Sequence, residues 1–267
     1  MKKYILIGVI IMKSCSQEIH PPEAIKKPHK MVNHGYERED NYYWMRLTDA
    51  QKATKPYDDQ TKKVIDYINA ENDYTKDKLS DTEDLQDEIF DEIVSRIKKD
   101  DQTVPYLMNG YYYYSRYERG KEYAIYCRKK GSLDSSEEII LDANELSKGK
   151  DYFSLGRRTI SPNNEWLAYT IDSLGRTMYS LYFKNLVTQK TLNYSINNVE
   201  SSIAWANDNK TVYYTSQNDT TLNPEKVYRH VLGTETKQDQ LVYHEKDGEY
   251  WSGVYRSKSG DFIIIYS

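Results

Sequence analysis

A strand, a tight turn and a second strand recur along the latter half of the chain at a period of ~50 residues, the spacing of propeller-type repeats. The unit is first seen at Pro105–Leu107, Asn109-Gly110 and Tyr111–Tyr114. It returns at Ile160–Tyr169, at Ala204–Tyr214 and at Tyr255–Ile264. The turn residues Asn109, Asn164, Asn209 and Gly260 are spaced by 55, 45 and 51 residues. Asn-Gly between apolar runs is a strong hairpin signal, because both residues tolerate the left-handed backbone that a two-residue turn requires. A second landmark keeps the period. Tyr126, Tyr182 and Tyr228 each centre an aromatic strand after the hairpin, spaced by 56 and 46 residues. Each is followed by a polar turn and a further strand, over Lys129–Leu141, Lys184–Leu192 and Leu232–Tyr243.

Four strands per ~40–50 residues describe a propeller blade, which buries its faces only by stacking on neighbouring blades. The abundance of tyrosine, 27 against 4 phenylalanines, suits half-buried strands. The predicted fold is mainly β with an N-terminal helical segment, and its β part is a partial propeller of about three and a half blades. One irregular antiparallel sandwich is the competing arrangement. Propellers close with about four to eight blades, and the last residues, Phe262–Ser267, read as an apolar strand. The expectation is therefore the front part of a longer protein.

Three segments are expected. Residues 1–17 carry Lys2-Lys3, a short apolar run from Tyr4 to Met12, and Ser14-Cys15-Ser16. The run is too short to span a bilayer. It reads as an export signal whose end resembles a lipoprotein cleavage site, with Cys15 as the expected lipidation site and Lys13 as a departure from the usual pattern. Export to a bacterial periplasm or lipid anchoring follows from it, with a cytoplasmic location as the alternative. Residues 18–100 hold an extended Pro- and Lys-rich arm (His20–Lys30) and two helices. The first helix is expected over Tyr57–Lys78. The second is expected to start at a capping box, Ser80-Asp81-Thr82-Glu83, and to carry Leu85, Ile89, Ile93 and Ile97 on one apolar stripe. Arg96, Lys98 and Lys99 fall at its C-terminal end, where cations suit the helix dipole. Residues 101–267 form the partial propeller.

The sequence also excludes chemistry. Basic and acidic residues (37 and 41) are interspersed and the net charge is −4, so no nucleic-acid partner is indicated. No two glycines stand four apart, which removes a Gly-x-Ser-x-Gly nucleophile elbow, and none stand two apart, which removes a Gly-x-Gly dinucleotide loop. His244-Glu245 lacks the second histidine of a zinc motif, with Gly248 in its place. Two cysteines make neither a disulfide framework nor a CxxC site. Cys127, in an apolar strand pattern, is expected to be a buried thiol. The acidic run Glu83–Glu92 is expected to be a solvated face, and Trp44 and Tyr111–Tyr114 to be packing residues. No catalytic, cofactor-binding or metal-binding residue is assigned, and no cofactor is expected.

Several stretches resemble one family in order along the chain. They include Pro21-Pro22, Lys27-Pro28-His29, Asn41–Arg46, Ile68–Tyr74, Glu92–Lys98, Asn109–Tyr114, Gly120–Tyr123, Arg128–Asp134, Ala204–Asn209 and Val227–His230. The chain is similar to the N-terminal part of oligopeptidase B, in the prolyl oligopeptidase family of serine peptidases. The resemblance implies a seven-bladed propeller that admits only small peptides to a C-terminal α/β-hydrolase domain, on which the N-terminal helices pack. That domain would be the chain's partner and would hold the Ser, Asp and His, so no catalytic residue carries over onto this sequence. Cleavage after Arg or Lys would belong to the complete protein, and this chain alone would be inactive. A stand-alone binding module and a decayed gene fragment are the alternatives; a cryptic hydrolase assembled from distant Ser and His residues is a third.

Overall fold

In the computed structural model the described residues are 20–267, so the leader and Cys15 lie outside them. The chain divides into two compact units, one up to Ile97 and one over Lys98–Ser267.

In the first unit an arm runs into a hairpin of β1 (His29–Asn33) and β2 (Tyr36–Asp40). Its turn, His34-Gly35, has φ of 52° and 82° and gave no sequence expectation. The arm is tied down by Trp44, whose Nε1 donates to the Ile25 carbonyl at 2.8 Å while Lys27 lies over its ring. Helices α1 (Asp49–Ala53), α2 (Asp59–Leu79) and α3 (Glu83–Arg96) follow.

The expected capping box at Ser80 is not formed. Ser80 has helical backbone angles and its hydroxyl donates to the Asp77 carbonyl, so α2 passes through a 3-10 turn at Ser80–Thr82 directly into α3. A box forms instead at Thr48 and Gln51, which opens α1. On α3 the fourfold spacing of apolar residues is present, but Leu85, Ile89, Phe90, Ile93 and Ile97 remain 46–64% exposed. The acidic residues of Glu83–Glu92 are all exposed, and Glu92 pairs with Arg96.

The second unit is built of blades. The first is a four-stranded antiparallel meander: β3 (Tyr106–Met108), β4 (Tyr111–Arg116), β5 (Ile125–Lys130) and β6 (Glu137–Asp142). A short helix α4 (Ala143–Ser147) leads to β7 (Ser154–Ile160), β8 (Trp166–Asp172) and β9 (Tyr179–Asn185) of the second blade. Then come β10 (Ile196–Trp205), β11 (Thr211–Gln217), β12 (Pro224–Val231) and β13 (Gln240–His244). A last hairpin pairs β14 (Gly253–Arg256) with β15 (Ile263–Tyr266). Tyr126, Tyr182 and Tyr228 fall on β5, β9 and β12, the third strand of each repeat.

The second and third blades are one continuous seven-stranded ladder rather than separate sheets. The reason is β10. Its first half pairs with β9 through Ile196 and Val199, and its second half pairs with β11 through Ile203–Trp205, with a bulge between them. The expected fourth strand of the second blade near Leu192 is reduced to one bridge, Lys184 to Thr191.

Strand alternation divides the core between blades. On β8, Leu167, Tyr169 and Ile171 join Tyr113, Ile140 and Leu141 of the first blade, while Ala168 joins Trp205, Val212 and Tyr214 of the third. Ala204 and Val227 then turn to Val254 of the last hairpin. The second and third blades thus each bury one face against the blade before and the other against the strands after, because successive side chains of a strand point to opposite faces.

The repeated turns are where blades hold hands. Asn109, Asn164, Asn209 and Gly260 all have φ between 48° and 80°, which selects Asn or Gly. They are also joined in series: the Asn164 amide donates to the Asn109 carbonyl (3.1 Å), the Asn163 N–H to Asn209 Oδ1 (2.8 Å), and the Asn207 amide to the Gly260 carbonyl (3.1 Å). The period read from sequence is therefore a chain of contacts between neighbouring turns.

Candidate functional site

The first strands of the second and third blades and of the last hairpin, β7, β10 and β14, lie side by side. Trp205 Nε1 on β10 donates to the Thr159 carbonyl on β7 (3.1 Å). Ser202 Oγ on β10 both accepts from the Val254 N–H and donates to the Val254 carbonyl on β14, each at 2.7 Å. These bonds stitch three inner strands together. Arg157, Glu200, Ser201, Tyr255 and Tyr266 line a groove of about 250 Å³ there. Ile203 and Val254 complete its lining with Ser202, and no histidine is among its residues.

One histidine does sit in an organised polar network. His230 on β12 is fully buried, and its Nδ1 lies 2.7 Å from Asp239 Oδ1, whose side chain is 3% exposed. Its Nε2 lies 2.9 Å from the Tyr194 hydroxyl. Tyr214 donates to the second Asp239 oxygen (2.9 Å), and the Gly233 N–H donates to Tyr194 (3.0 Å). Phe183 of the second blade stacks on the imidazole at 5.5 Å. Burial, and secondarily the charge of Asp239, hold the Tyr214 hydroxyl far above its usual range. Burial also raises Tyr194, against the lowering effect of the Gly233 N–H. Both phenols are therefore held neutral. An Asp–His pair with a hydroxyl beyond it has the connectivity of a nucleophile relay. Here the hydroxyl is a raised phenol and the imidazole is fully buried, so the group ties β12 to its neighbours.

The other residues singled out by sequence are dispersed. Cys127 is free and fully buried, and burial pushes its thiol up to about 12, so it stays protonated at neutral pH. Tyr113 and Tyr114 are buried, and Arg128 lies over the Tyr111 ring at 4.2 Å, which makes this run a packing element. His29 stacks on Tyr43, and His244 lies 3.8 Å from Glu225. Among the described residues no serine hydroxyl is hydrogen-bonded to a histidine, and no cluster of three His, Cys, Asp or Glu side chains could hold a metal ion. No described helix is long and apolar enough to cross a membrane.

Residues 21–267 match the family described as prolyl oligopeptidase, N-terminal β-propeller domain. Among curated relatives, dipeptidyl aminopeptidase BI of Pseudoxanthomonas mexicana is 37% identical over 98% of this chain and 37% of its own length. Protease 2 of Moraxella lacunata is 31% identical over 92% of this chain and 35% of its own. Among solved structures, oligopeptidase B from Leishmania major superposes with a TM-score of 0.81 at 28% identity, over 92% of this chain and 36% of that one. The chain thus spans a little over a third of the length of the relatives it matches.

Proposed function

The chain belongs to the prolyl oligopeptidase family as its N-terminal β-propeller part, and on that premise we propose that it is the sieve and docking portion of a serine peptidase. The whole enzyme would hydrolyse small peptides. The preference for Arg or Lys at the cleaved bond rests on the resemblance to oligopeptidase B. The reacting Ser, Asp and His would be supplied by an α/β-hydrolase domain, and the chain alone would be inactive.

The observation that carries this reading is the division of labour in the fold. Blades stack through apolar faces and polar turns, while no serine–histidine pair forms among the described residues. The exposed stripe of α3, from Leu85 to Ile97, supports it from the other unit, since an apolar helix face of that extent needs a partner. We place that stripe against the hydrolase domain.

An assay of the purified chain on an Arg-containing chromogenic peptide is expected to give no turnover above the blank. Fusion to, or mixing with, the hydrolase domain of a relative such as protease 2 is expected to give turnover blocked by a serine-directed inhibitor. Inhibitor-sensitive turnover by the chain alone would reject the proposal. Reading the coding DNA beyond codon 267 is an independent check: a continuing or adjacent frame with Gly-x-Ser-x-Gly is the expected result.

We further propose export, with Cys15 as a lipidated anchor, on the leader pattern of residues 1–17. Labelled palmitate is expected in the wild-type chain expressed in a bacterium and absent from Cys15→Ser. Label in neither chain would remove the anchor, and full-length chain in the cytosol would remove export.

A further inference from the structure

The repeated turns share a backbone conformation but differ in chemistry. Asn109 is followed by glycine, the only Asn-Gly pair in the sequence, whereas Asn164 is followed by Glu165 and Asn209 by Lys210. An asparagine is open to attack on its side-chain carbonyl carbon by the backbone nitrogen of the next residue, which closes a five-membered ring. A fold restrains that attack through hydrogen bonds on either reacting group. A side chain on the attacking residue adds steric hindrance, which glycine lacks.

At the second and third turns both groups are engaged. Asn164 accepts from the Tyr113 hydroxyl (3.2 Å) and donates to the Asn109 carbonyl (3.1 Å), and the Glu165 N–H donates to Asn163 Oδ1 (3.2 Å). Asn209 accepts from the Asn163 N–H (2.8 Å) and donates to the Asn207 carbonyl (3.3 Å), and the Lys210 N–H donates to Asp208 Oδ1 (3.0 Å). Both asparagines are half-buried. At the first turn Asn109 and Gly110 are exposed. Among the described residues neither the Asn109 side-chain amide nor the Gly110 N–H has a hydrogen-bond partner. Beyond the adjacent residues, no heavy atom lies within 4 Å of the place a Cβ on Gly110 would occupy. The turn also closes on β3, a three-residue edge strand whose residues are all exposed, so it opens locally at little cost.

We propose that Asn109 is a site of spontaneous deamidation, the point at which the contact between the first and second blades ages. The Gly110 nitrogen loses its proton to solvent base and bonds to Asn109 Cγ. The Cγ–Nδ2 bond breaks, and Nδ2 leaves as ammonia. Water then adds to one of the two carbonyls of the resulting succinimide, and that carbonyl's bond to the Gly110 nitrogen breaks. Opening at Cγ gives aspartate. Opening at the backbone carbonyl gives isoaspartate, whose main chain runs through Cγ. That product adds a methylene to a two-residue turn that pairs Met108 with Tyr111, and turns the carbonyl that accepts from Asn164 into a free carboxylate. The reaction needs only this chain and water, so the inference is independent of the peptidase reading.

The test is incubation of the 267-residue chain in mildly alkaline buffer made with heavy-oxygen water, followed by peptide mapping in a mass spectrometer. Residue 109 is expected to lose its amide nitrogen and take up one heavy oxygen about tenfold or more faster than residues 164 and 209, the difference made by one restraining hydrogen bond of ordinary strength. Isoaspartate is expected among the products, read by an isoaspartyl methyltransferase. Asn109→Gly keeps the positive φ of the turn and the backbone carbonyl that Asn164 meets, and is expected to remove the fast site. Amide hydrogen exchange at Tyr111 and Tyr113 is expected to be several-fold faster in the aged wild-type chain than in the fresh one, and unchanged by the same incubation of Asn109→Gly. Equal rates at the three asparagines, or no heavy oxygen at residue 109 after the urea-unfolded chain has taken it up, would overturn the proposed site. Unchanged exchange in the isoaspartate-bearing fraction would overturn its link to the blade contact.

Discussion

Trp205→Ala is expected to destabilise the second unit by about 3–5 kcal/mol, the range for deleting a large aromatic from a packed core. Trp205 is 1% exposed and stands where the second and third blades meet. It packs with Ala168, Leu181 and Val199 and meets Phe183 edge to face, with ring centres 6.2 Å apart at 74°. Its truncation empties that space and leaves the Thr159 carbonyl without its indole donor. Urea unfolding followed by near-UV circular dichroism measures the change. Trp205→Phe retains most of the apolar contact and loses the N–H, so it is expected to cost less than the alanine variant, by the 1–3 kcal/mol or so that separates the two kinds of loss. A shift below about 1 kcal/mol for Trp205→Ala would show that the blades unfold independently and that this interface does not couple them.

The same residue shows why the blade architecture was legible in the sequence. Ala-Trp-Ala-Asn-Asp-Asn gives a strand and a turn, and the turn's left-handed residue recurs at the same place in each repeat. Short-range rules suffice for such features, because a positive φ selects Asn or Gly wherever the turn occurs. They do not suffice where two local patterns compete. Ser80 satisfies the pattern of a helix start, but the preceding helix continues through it and claims its hydroxyl. The true box, Thr48 with Gln51, opens a helix of five residues, too short to show a periodic apolar face. The fusion of the second and third blades was equally hidden. It depends on β10 pairing on both sides at different heights, a matter of register that no spacing records.

The polar sites were less legible than the fold. Tyr194, Tyr214, His230 and Asp239 have no common period, and their hydrogen bonds span strands and loops. One signal existed. His230 is two residues from Tyr228 on β12 and therefore on the same face, which packs toward the second blade. A histidine on an apolar strand face needs a polar partner brought by another element.

Asp239→Ala is the sharper probe of that buried network. The substitution removes the acceptor for both His230 Nδ1 and the Tyr214 hydroxyl, and both residues are buried. Breaking a buried pair from one side costs about 3–5 kcal/mol, chiefly through the polar group left behind. Pairing it with His230→Phe separates that penalty from the worth of the contact. The double variant is expected to be more stable than the sum of the single losses implies, because an apolar ring beside Phe183 no longer needs the carboxylate. Alkali gives an independent reading. Tyr214 is raised above its ordinary 10.0, first by burial and then by the charge and hydrogen bond of Asp239. A raised phenol stabilises the fold fully below pH 10, where both states hold the proton. That stability is lost as the pH rises further, since the unfolded chain ionises first. The wild-type unfolding midpoint is therefore expected to fall above pH 10, and to fall less steeply in Asp239→Ala, where the carboxylate no longer resists ionisation. A midpoint independent of pH in that range, together with strictly additive losses in the cycle, would mean that the four groups are neighbours without being a network.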